Sequence, residues 1–117
     1  MRHIYFWTRL FRMTRYAIKW WWQRRRRGWD DRDAWDLAGA TAKFMLPRLR
    51  HFRRHGTGHP FGVTPDEWDA ILGDIIYAMR ASATEAGCKK DVLKSIDWDR
   101  ANQGYRLLGR HFRSMWD

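Results

Sequence analysis

The spacing of the apolar residues is the feature that most limits how this chain folds. In four segments these residues recur at intervals of three and four positions, and no segment shows sustained alternation of apolar and polar residues. Intervals of three and four place side chains on one face of an α-helix, whereas alternation is typical of a half-buried strand. The sequence therefore predicts an all-α protein, a compact bundle of about four helices.

The length of the chain allows one domain with a core of its own, since it has 117 residues. We expect a single helical domain over residues 1–117. Within it, residues 1–28 form a basic, aromatic-rich N-terminal helix or arm, and residues 29–117 form a helical body.

The first predicted helix extends from about Ile4 to Arg26. Gly28 ends it, because glycine readily adopts the left-handed conformation that follows many helices. One stripe of this helix consists of Ile4, Trp7, Phe11, Thr14, Ile18, Trp21 and Trp22. We expect the stripe to pack against the other three helices, in particular through four of its members. These four are Ile4, Trp7, Phe11 and Ile18.

The second predicted helix starts near Asp33. Acidic residues favour the positive end of a helix, and the candidates for its cap or first turn are Asp30, Asp31 and Asp33. The helix continues to Phe52. Pro47 lies inside it, and since proline lacks a backbone donor, we expect the helix to be kinked or split there.

The clearest loop is residues 55–62, with three glycines and one proline in eight positions. The third helix follows it directly. Thr64 is typical of an N-cap, Pro65 of the first helical position, and Glu67 of the residue that completes a capping box. We expect Gly87 to end this helix. Its predicted apolar face consists of Trp68, Ile71, Leu72, Ile75, Ile76 and Met79.

The last predicted helix spans Trp98 to Trp116, with Asp97 as its N-cap. Three tryptophans fall on helical apolar stripes, and tryptophan buries a large apolar area when it packs. We therefore expect Trp68, Trp98 and Trp116 to lie in the core.

The charge is concentrated at one end of the chain. Residues 1–29 contain nine basic residues and no acidic one, whereas residues 30–117 contain the other fourteen basic and all thirteen acidic residues, a difference of +1. This asymmetry predicts an anionic partner that is bound by one part of the molecule. The nine basic residues are Arg2, Arg9, Arg12, Arg15, Lys19, Arg24, Arg25, Arg26 and Arg27.

The sequence "KWWWQRRRRGWDD", residues 19–31, is the main candidate site. Guanidinium groups match phosphate geometry, and indole rings stack on bases. The predicted ligand-binding residues here are Trp20, Arg24, Arg25, Arg26, Arg27 and Trp29. A solvated basic turn is the alternative interpretation.

A second basic group lies near the end of the second predicted helix. Its candidate ligand-binding residues are Arg48, His51, Arg53, Arg54 and His55. Cations at this position also complement the negative end of the helix dipole, which is a structural explanation. An anion pocket would require the two basic groups to face one another, within a subunit or between subunits.

Other classes of function are disfavoured. The single cysteine, Cys88, excludes an internal disulfide and indicates a cytoplasmic location in a bacterial host cell. Neither a signal peptide nor about 18 consecutive apolar residues is present. No catalytic motif is recognisable, so we predict a protein that is not an enzyme and has no cofactor. Bare histidine or aspartate spacing is a weak signal, so a metal site is disfavoured as well.

Four blocks of the sequence resemble a family of small, uncharacterised proteins encoded in bacteriophage genomes. These blocks are "GWDDRDAWDL", "AKFMLPRLRHF", "GVTPDEWDAILGDIIYAM" and "GYRLLGRHFRSMWD". The resemblance implies a phage accessory protein that acts on the host. That family has no established activity, so it contributes no binding or catalytic residue.

Three functions fit these patterns. The first is a non-enzymatic protein that binds an anionic nucleotide-like ligand, for example to sequester a host immune signal as a counter-defence, with the pocket formed in a homo-oligomer. The second is a protein that binds nucleic acid or inhibits a nucleoprotein. The third is peripheral membrane binding through residues 1–27, because aromatic residues on one face and basic residues on the other are typical of an interfacial helix.

Overall fold

The structure is a computed structural model that describes residues 2–86 and 90–116, and this part of the chain is all-α. No strand occurs among these residues, so the predicted fold class is confirmed. The helices are α1 (Arg2–Arg27), α2 (Asp31–Trp35), α3 (Leu37–His55), α4 (Pro65–Ala86), α5 (Lys90–Leu93) and α6 (Trp98–His111), followed by a 3-10 turn (Phe112–Ser114).

The chain forms two compact units, an N-terminal unit (Met1–Leu37) and a C-terminal unit (Ala38–Asp117). The first contains α1 and α2, and the second contains the rest of α3 and the remaining helices. This boundary lies nine residues beyond the predicted end of the basic arm at residue 28.

The core of the C-terminal unit is built around α4. Ile75 and Ala78 of this helix are fully buried, and they pack with Ala42 and Leu49 of α3. On α6, Gly104 allows a close approach, because a Cβ there would collide with the backbone carbonyl of Asp74. The predicted apolar face of α4 is therefore confirmed as the centre of the core.

The predicted helix starts in this unit are confirmed. The amide of Glu67 donates to Thr64 Oγ1 at 3.2 Å, and the amide of Thr64 donates to Glu67 Oε2 at 3.4 Å, which is a capping box. Asp97 Oδ1 accepts from the amide of Arg100 at 3.2 Å and caps α6. The predicted end of α4 at Gly87 lies outside the described residues.

Two predictions about the C-terminal unit need correction. The second predicted helix is not split at Pro47, since α3 continues through this proline. It is instead interrupted at Asp36, between α2 and α3. Trp68 is buried at 5 % exposure as expected, whereas Trp98 is 38 % and Trp116 is 76 % exposed. Trp116 follows the last helical turn, so the helical stripe on which its burial was predicted ends before it.

The N-terminal unit consists of a long helix and a short one. At about 1.5 Å per residue, the 26 residues of α1 span about 39 Å, whereas the five of α2 span about 8 Å. Gly28 ends α1 as predicted: its φ is +82°, and its amide donates to the carbonyl of Arg24 at 2.9 Å. None of the helices in the described part of the chain is both long and apolar enough to cross a membrane.

Within the N-terminal unit most of the α1 stripe is uncovered, and its packing against helices of the C-terminal unit stays a prediction. Ile4, Trp7, Phe11 and Ile18 are all more than half exposed. In the N-terminal unit, α2 packs against the C-terminal end of α1, and five residues are too few to cover a helix of this length.

Candidate functional site

Most of α1 presents a broad apolar face to solvent. With a rotation of about 100° per residue, nine exposed apolar side chains of residues 4–22 fall within an arc of about 180°, whereas Tyr5 and Tyr16 lie on the other side of the helix. These nine, which are 45–74 % exposed, are Ile4, Phe6, Trp7, Leu10, Phe11, Met13, Ile18, Trp21 and Trp22. We call this set the apolar face. An exposed surface of this size and aromatic content is typical of an interaction site.

The opposite side of α1 is basic. Arg9, Arg12, Arg15 and Lys19 fall within an arc of about 120°, and we call them the cationic row. Lys19 Nζ lies 3.4 Å from Asp31 Oδ2. Arg9, Arg12 and Arg15 form no ion pair with any described residue, so their charges are available to an external anion.

Polar groups inside and beside the apolar face are satisfied within the helix. Thr14 lies in the apolar arc, and its hydroxyl donates to the carbonyl of Leu10 at 2.8 Å. The hydroxyl of Thr8 donates to the carbonyl of Ile4 at 2.9 Å. Burial of the apolar face would therefore leave neither hydroxyl without a partner.

A buried carboxylate joins α1 to α2. Asp30 is fully buried and caps α2, with Oδ1 accepting from the amide of Arg32 at 3.0 Å. Its Oδ2 accepts from Arg24 Nη2 at 3.0 Å and from Arg32 Nη2 at 2.9 Å. Asp33 completes the capping box by accepting from the amide of Asp30 at 3.1 Å. We call Asp30, Asp31 and Asp33 the aspartate turn.

Two carboxylates of this turn are held in the ionised form. The Arg32 guanidinium and, after it, the Arg24 guanidinium hold the pKa of Asp30 well below its usual range, although burial acts in the opposite direction. Hydrogen bonds from Gln23 and then Arg27 lower the pKa of Asp31. The aspartate turn therefore supplies permanent negative charge to its neighbours at neutral pH.

Two of the four arginines in the run are paired with this turn. Arg24 contacts both Asp30 and Asp33, and Arg27 Nη2 donates to Asp31 Oδ1 at 2.9 Å. The four cations Lys19, Arg24, Arg27 and Arg32 meet three aspartates, so these seven residues together have a net charge of +1, to which the unpaired Arg25 and Arg26 add. A phosphate group would have to displace a carboxylate to bind Arg24 or Arg27.

The tryptophans predicted to stack on a ligand already have partners. Trp20 is partly buried, with the Arg32 guanidinium 4.4 Å from its ring centroid and Trp35 in edge contact at 5.8 Å. The Arg27 guanidinium lies 3.6 Å above the ring of Trp29. Of the four arginines predicted here, Arg25 and Arg26 are the two that form no ion pair with the aspartate turn. Arg25 lies 5.2 Å from the ring of Trp21.

The second predicted group divides between two sides of α3. Arg53 faces α4 and donates to both carboxylate oxygens of Asp69, at 2.9 and 3.1 Å, and Asp69 raises the pKa of Arg53. The side chains of Arg48, His51 and His55 line a shared concavity on the other side. Arg54 is exposed and has no ion pair among the described residues. Each basic group is thus placed within its own unit.

Metal ligation finds no support in the part of the chain that the structure describes, which contains no cluster of three or more candidate ligands. His51 and His55 lie close together, with ring centroids 4.5 Å apart. His59 hydrogen-bonds instead to the carbonyl of Pro60 at 3.3 Å. Cys88 lies outside the described residues.

Comparisons with protein-family models, with curated proteins and with solved structures found no match to this chain. The resemblance to phage-encoded proteins and the nucleotide-binding, counter-defence function therefore stay predictions. The same holds for the absence of enzymatic activity, the homo-oligomer and the cytoplasmic location.

The sequence predicted basic residues on one face of an interfacial helix but did not assign Arg9, Arg12 and Arg15 as binding residues. These three arginines are separated along the sequence, unlike the compact run at residues 24–27. The signal was present in the helical register, because no acidic residue occurs within reach along residues 1–29. Arg32 was also missed, although it neutralises Asp30 and covers Trp20.

Proposed function

We propose that this protein binds the surface of anionic membranes through α1. The observation that supports this function is that one helix carries an exposed aromatic apolar face and, opposite to it, three arginines without an ion pair among the described residues, Arg9, Arg12 and Arg15. An interfacial helix has this arrangement, with its apolar side in the acyl boundary and its basic side among the headgroups. The aromatic content fits as well, since tryptophan concentrates at the membrane–water interface.

Charge favours an anionic membrane over a second copy of α1. All charged side chains in residues 1–29 are basic, so two such helices packed side by side would repel each other. Anionic lipid headgroups supply the opposite charge at a density that the protein itself lacks in this segment. Each basic residue near such a surface contributes about 1 kcal/mol of attraction.

A nucleotide or a nucleic acid would leave the apolar face unexplained. Both ligands bind cations and stack on a few rings, whereas the exposed side chains of α1 include aliphatic residues such as Ile4, Leu10 and Ile18. Of the four arginines on which these ligands were predicted, Arg24 and Arg27 are already paired with the aspartate turn. Membrane binding accounts for both faces at once.

Vesicle co-sedimentation of the full chain tests the proposal. We expect binding to phosphatidylcholine vesicles that contain about one third phosphatidylglycerol, weak binding to pure phosphatidylcholine, and a decrease as salt rises. Replacement of Arg9, Arg12 and Arg15 by Gln should weaken the anionic-vesicle affinity about 100-fold, from about 1 kcal/mol per arginine. The matched control replaces Arg106, Arg110 and Arg113, which are exposed residues of the C-terminal unit, and should change the affinity little.

The apolar face has a corresponding test. Trp7→Glu combined with Phe11→Glu should abolish vesicle binding, because each aromatic side chain contributes about 1.5–3 kcal/mol on burial. Phe61→Glu combined with Trp116→Glu is the control, since both of these aromatic residues are exposed on the C-terminal unit. Equal affinity for neutral and anionic vesicles would contradict the proposal. A protein that forms dimers through the apolar face in native mass measurements, and does not bind vesicles, would contradict it as well.

A further inference from the structure

One side of α3 carries a second cluster of basic side chains, Arg48, His51 and His55. It lies around an open concavity of about 620 Å³ lined by Pro47, Arg48, His51, Phe52, His55 and Gly56. These residues belong to the last three turns of α3 and the residue that follows it. Cavities of several hundred cubic ångströms are of the size that holds small-molecule ligands.

Arg48 is held in place without losing its charge. Its guanidinium lies 3.6 Å above the ring of Phe44, and Nη1 donates to the carbonyl of Phe44 at 2.7 Å. No described carboxylate pairs with it, in contrast to Arg53, which Asp69 neutralises on the other side of the helix. A guanidinium has five N–H donors, so most of those on Arg48 remain for a ligand.

Two histidines extend the donor set. His51 and His55 are four residues apart on the same face of α3, with ring centroids 4.5 Å apart and planes tilted by 42°. Each imidazole can donate a hydrogen bond. Together with Arg48, they form three donors within two turns of one helix, and no ion pair of the described residues involves any of them.

The walls of the concavity are apolar. Pro47 and Phe52 flank the donors. Gly56 also lines the concavity, and a side chain is disfavoured there because a Cβ would lie 2.6 Å from the carbonyl oxygen of Phe52. A ligand that matches this surface combines a compact anion with a flat apolar group.

We infer that Arg48, His51 and His55 bind the phosphate of a small aromatic phosphate ester of the nucleoside monophosphate class, with its ring against Pro47 and Phe52. This site goes beyond the proposed membrane function and does not depend on it. It also differs from Arg24 and Arg27 of the arginine run, since no described carboxylate pairs with Arg48.

Titration of the full-length protein with AMP, adenosine and inorganic phosphate tests the inference. We expect AMP to bind most tightly, phosphate more weakly and adenosine least, with AMP shifting the side-chain NMR signals of His51 and His55. Arg48→Gln should lower the AMP affinity about 10-fold, as expected for the loss of a charge-assisted hydrogen bond. Arg54→Gln, a charge-matched change of an exposed residue on the same helix, should change it less than about two-fold on the same reasoning.

Several results would overturn this inference. They are the absence of AMP binding at millimolar concentration, AMP affinity that Arg48→Gln and His51→Gln leave unchanged, and binding of an oligonucleotide without binding of AMP. Circular dichroism of each variant shows that a lost affinity is not a lost fold. Replacement of Arg9, Arg12 and Arg15 by Gln should leave AMP binding unchanged, so failure of the membrane proposal and failure of this site are separable.

Discussion

Helices α1 and α4 have the same kind of apolar periodicity but different surroundings. In α4 the apolar face is buried against α3 and α6, and Ile75 has no exposed surface. In α1 the corresponding face is open, and Phe11 is 74 % exposed. A helical stripe therefore indicates which side chains seek an apolar environment, but it does not indicate whether the protein itself supplies that environment.

The charges of the two helices differ as well. The outer side of α4 carries acidic residues, among them Asp69 and Asp74, which pair with Arg53 of α3 and Arg100 of α6. Helix α1 carries no acidic residue, and five of its arginines lack an ion pair among the described residues, namely Arg9, Arg12, Arg15, Arg25 and Arg26. The side chains of α4 are thus matched by the rest of its own unit, whereas those of α1 match an external anionic, apolar surface.

The largest contrast should be in stability. Ile75→Ala should lower the free energy of unfolding by about 2–5 kcal/mol, because it leaves a cavity in a closed core. Phe11→Ala should change it by less than about 0.5 kcal/mol, as is usual for exposed positions. Denaturant unfolding in the absence of lipid measures both. A large loss of stability for Phe11→Ala would show that the apolar face of α1 is buried in solution. It would contradict the difference between α1 and α4.

Substitution at the corner between α1 and α2, where Gly28 lies, should lower stability less than Ile75→Ala does. Gly28→Ala should destabilise this corner by about 1–2 kcal/mol, since φ at this position is +82° and a side chain disfavours that conformation. Gly58→Ala is the control, in a loop where a Cβ meets nothing within 4 Å. Hydrogen exchange of the amides of Arg32 and Asp33 measures the corner locally. Equal protection in both variants would contradict this role of Gly28.

The pH dependence of the corner should be negligible near neutrality and appear only in acid. The pKa of Asp30 in the folded protein is lowered, so its contribution to stability is complete above the unfolded value of about 4 and is lost as pH falls through the folded value. The ¹³Cγ shift of Asp30 should therefore show an ionised carboxylate at pH 3. Arg32→Gln should raise its pKa, and protonation of the wild-type carboxylate above pH 4 would contradict this account.

The local features of the fold were predictable from the sequence. The capping residues Thr64 and Asp97, the stop at Gly28 and the apolar face of α4 each depend on residues within a few positions of one another. The exposure of Trp116 was not predictable, because it depends on where the last helix ends. The helical spacing places Trp116 on the apolar face only if the helix extends that far, and the last helical turn ends at Ser114.

The candidate site was only partly predictable. Asp30 and Asp33 were identified as helix caps, but their pairing with Arg24 depends on the reversal of the chain after Gly28. That reversal brings Arg24 next to aspartates six and nine positions away in the sequence. A count of charges along the sequence does not predict such ion pairs. A run of four arginines in sequence is therefore not equivalent to a basic surface.

A nitroxide scan of α1 on anionic vesicles tests the central claim most directly. Because Cys88 is the single cysteine, its replacement by Ser allows labels at individual positions from 6 to 18 in the full chain. Accessibility to oxygen should vary with a period of about 3.6 residues. We expect a maximum for a label at position 14, inside the apolar face, and a minimum for one at position 12, in the cationic row. Uniform accessibility along the scan, or values identical with and without vesicles, would contradict membrane binding by α1.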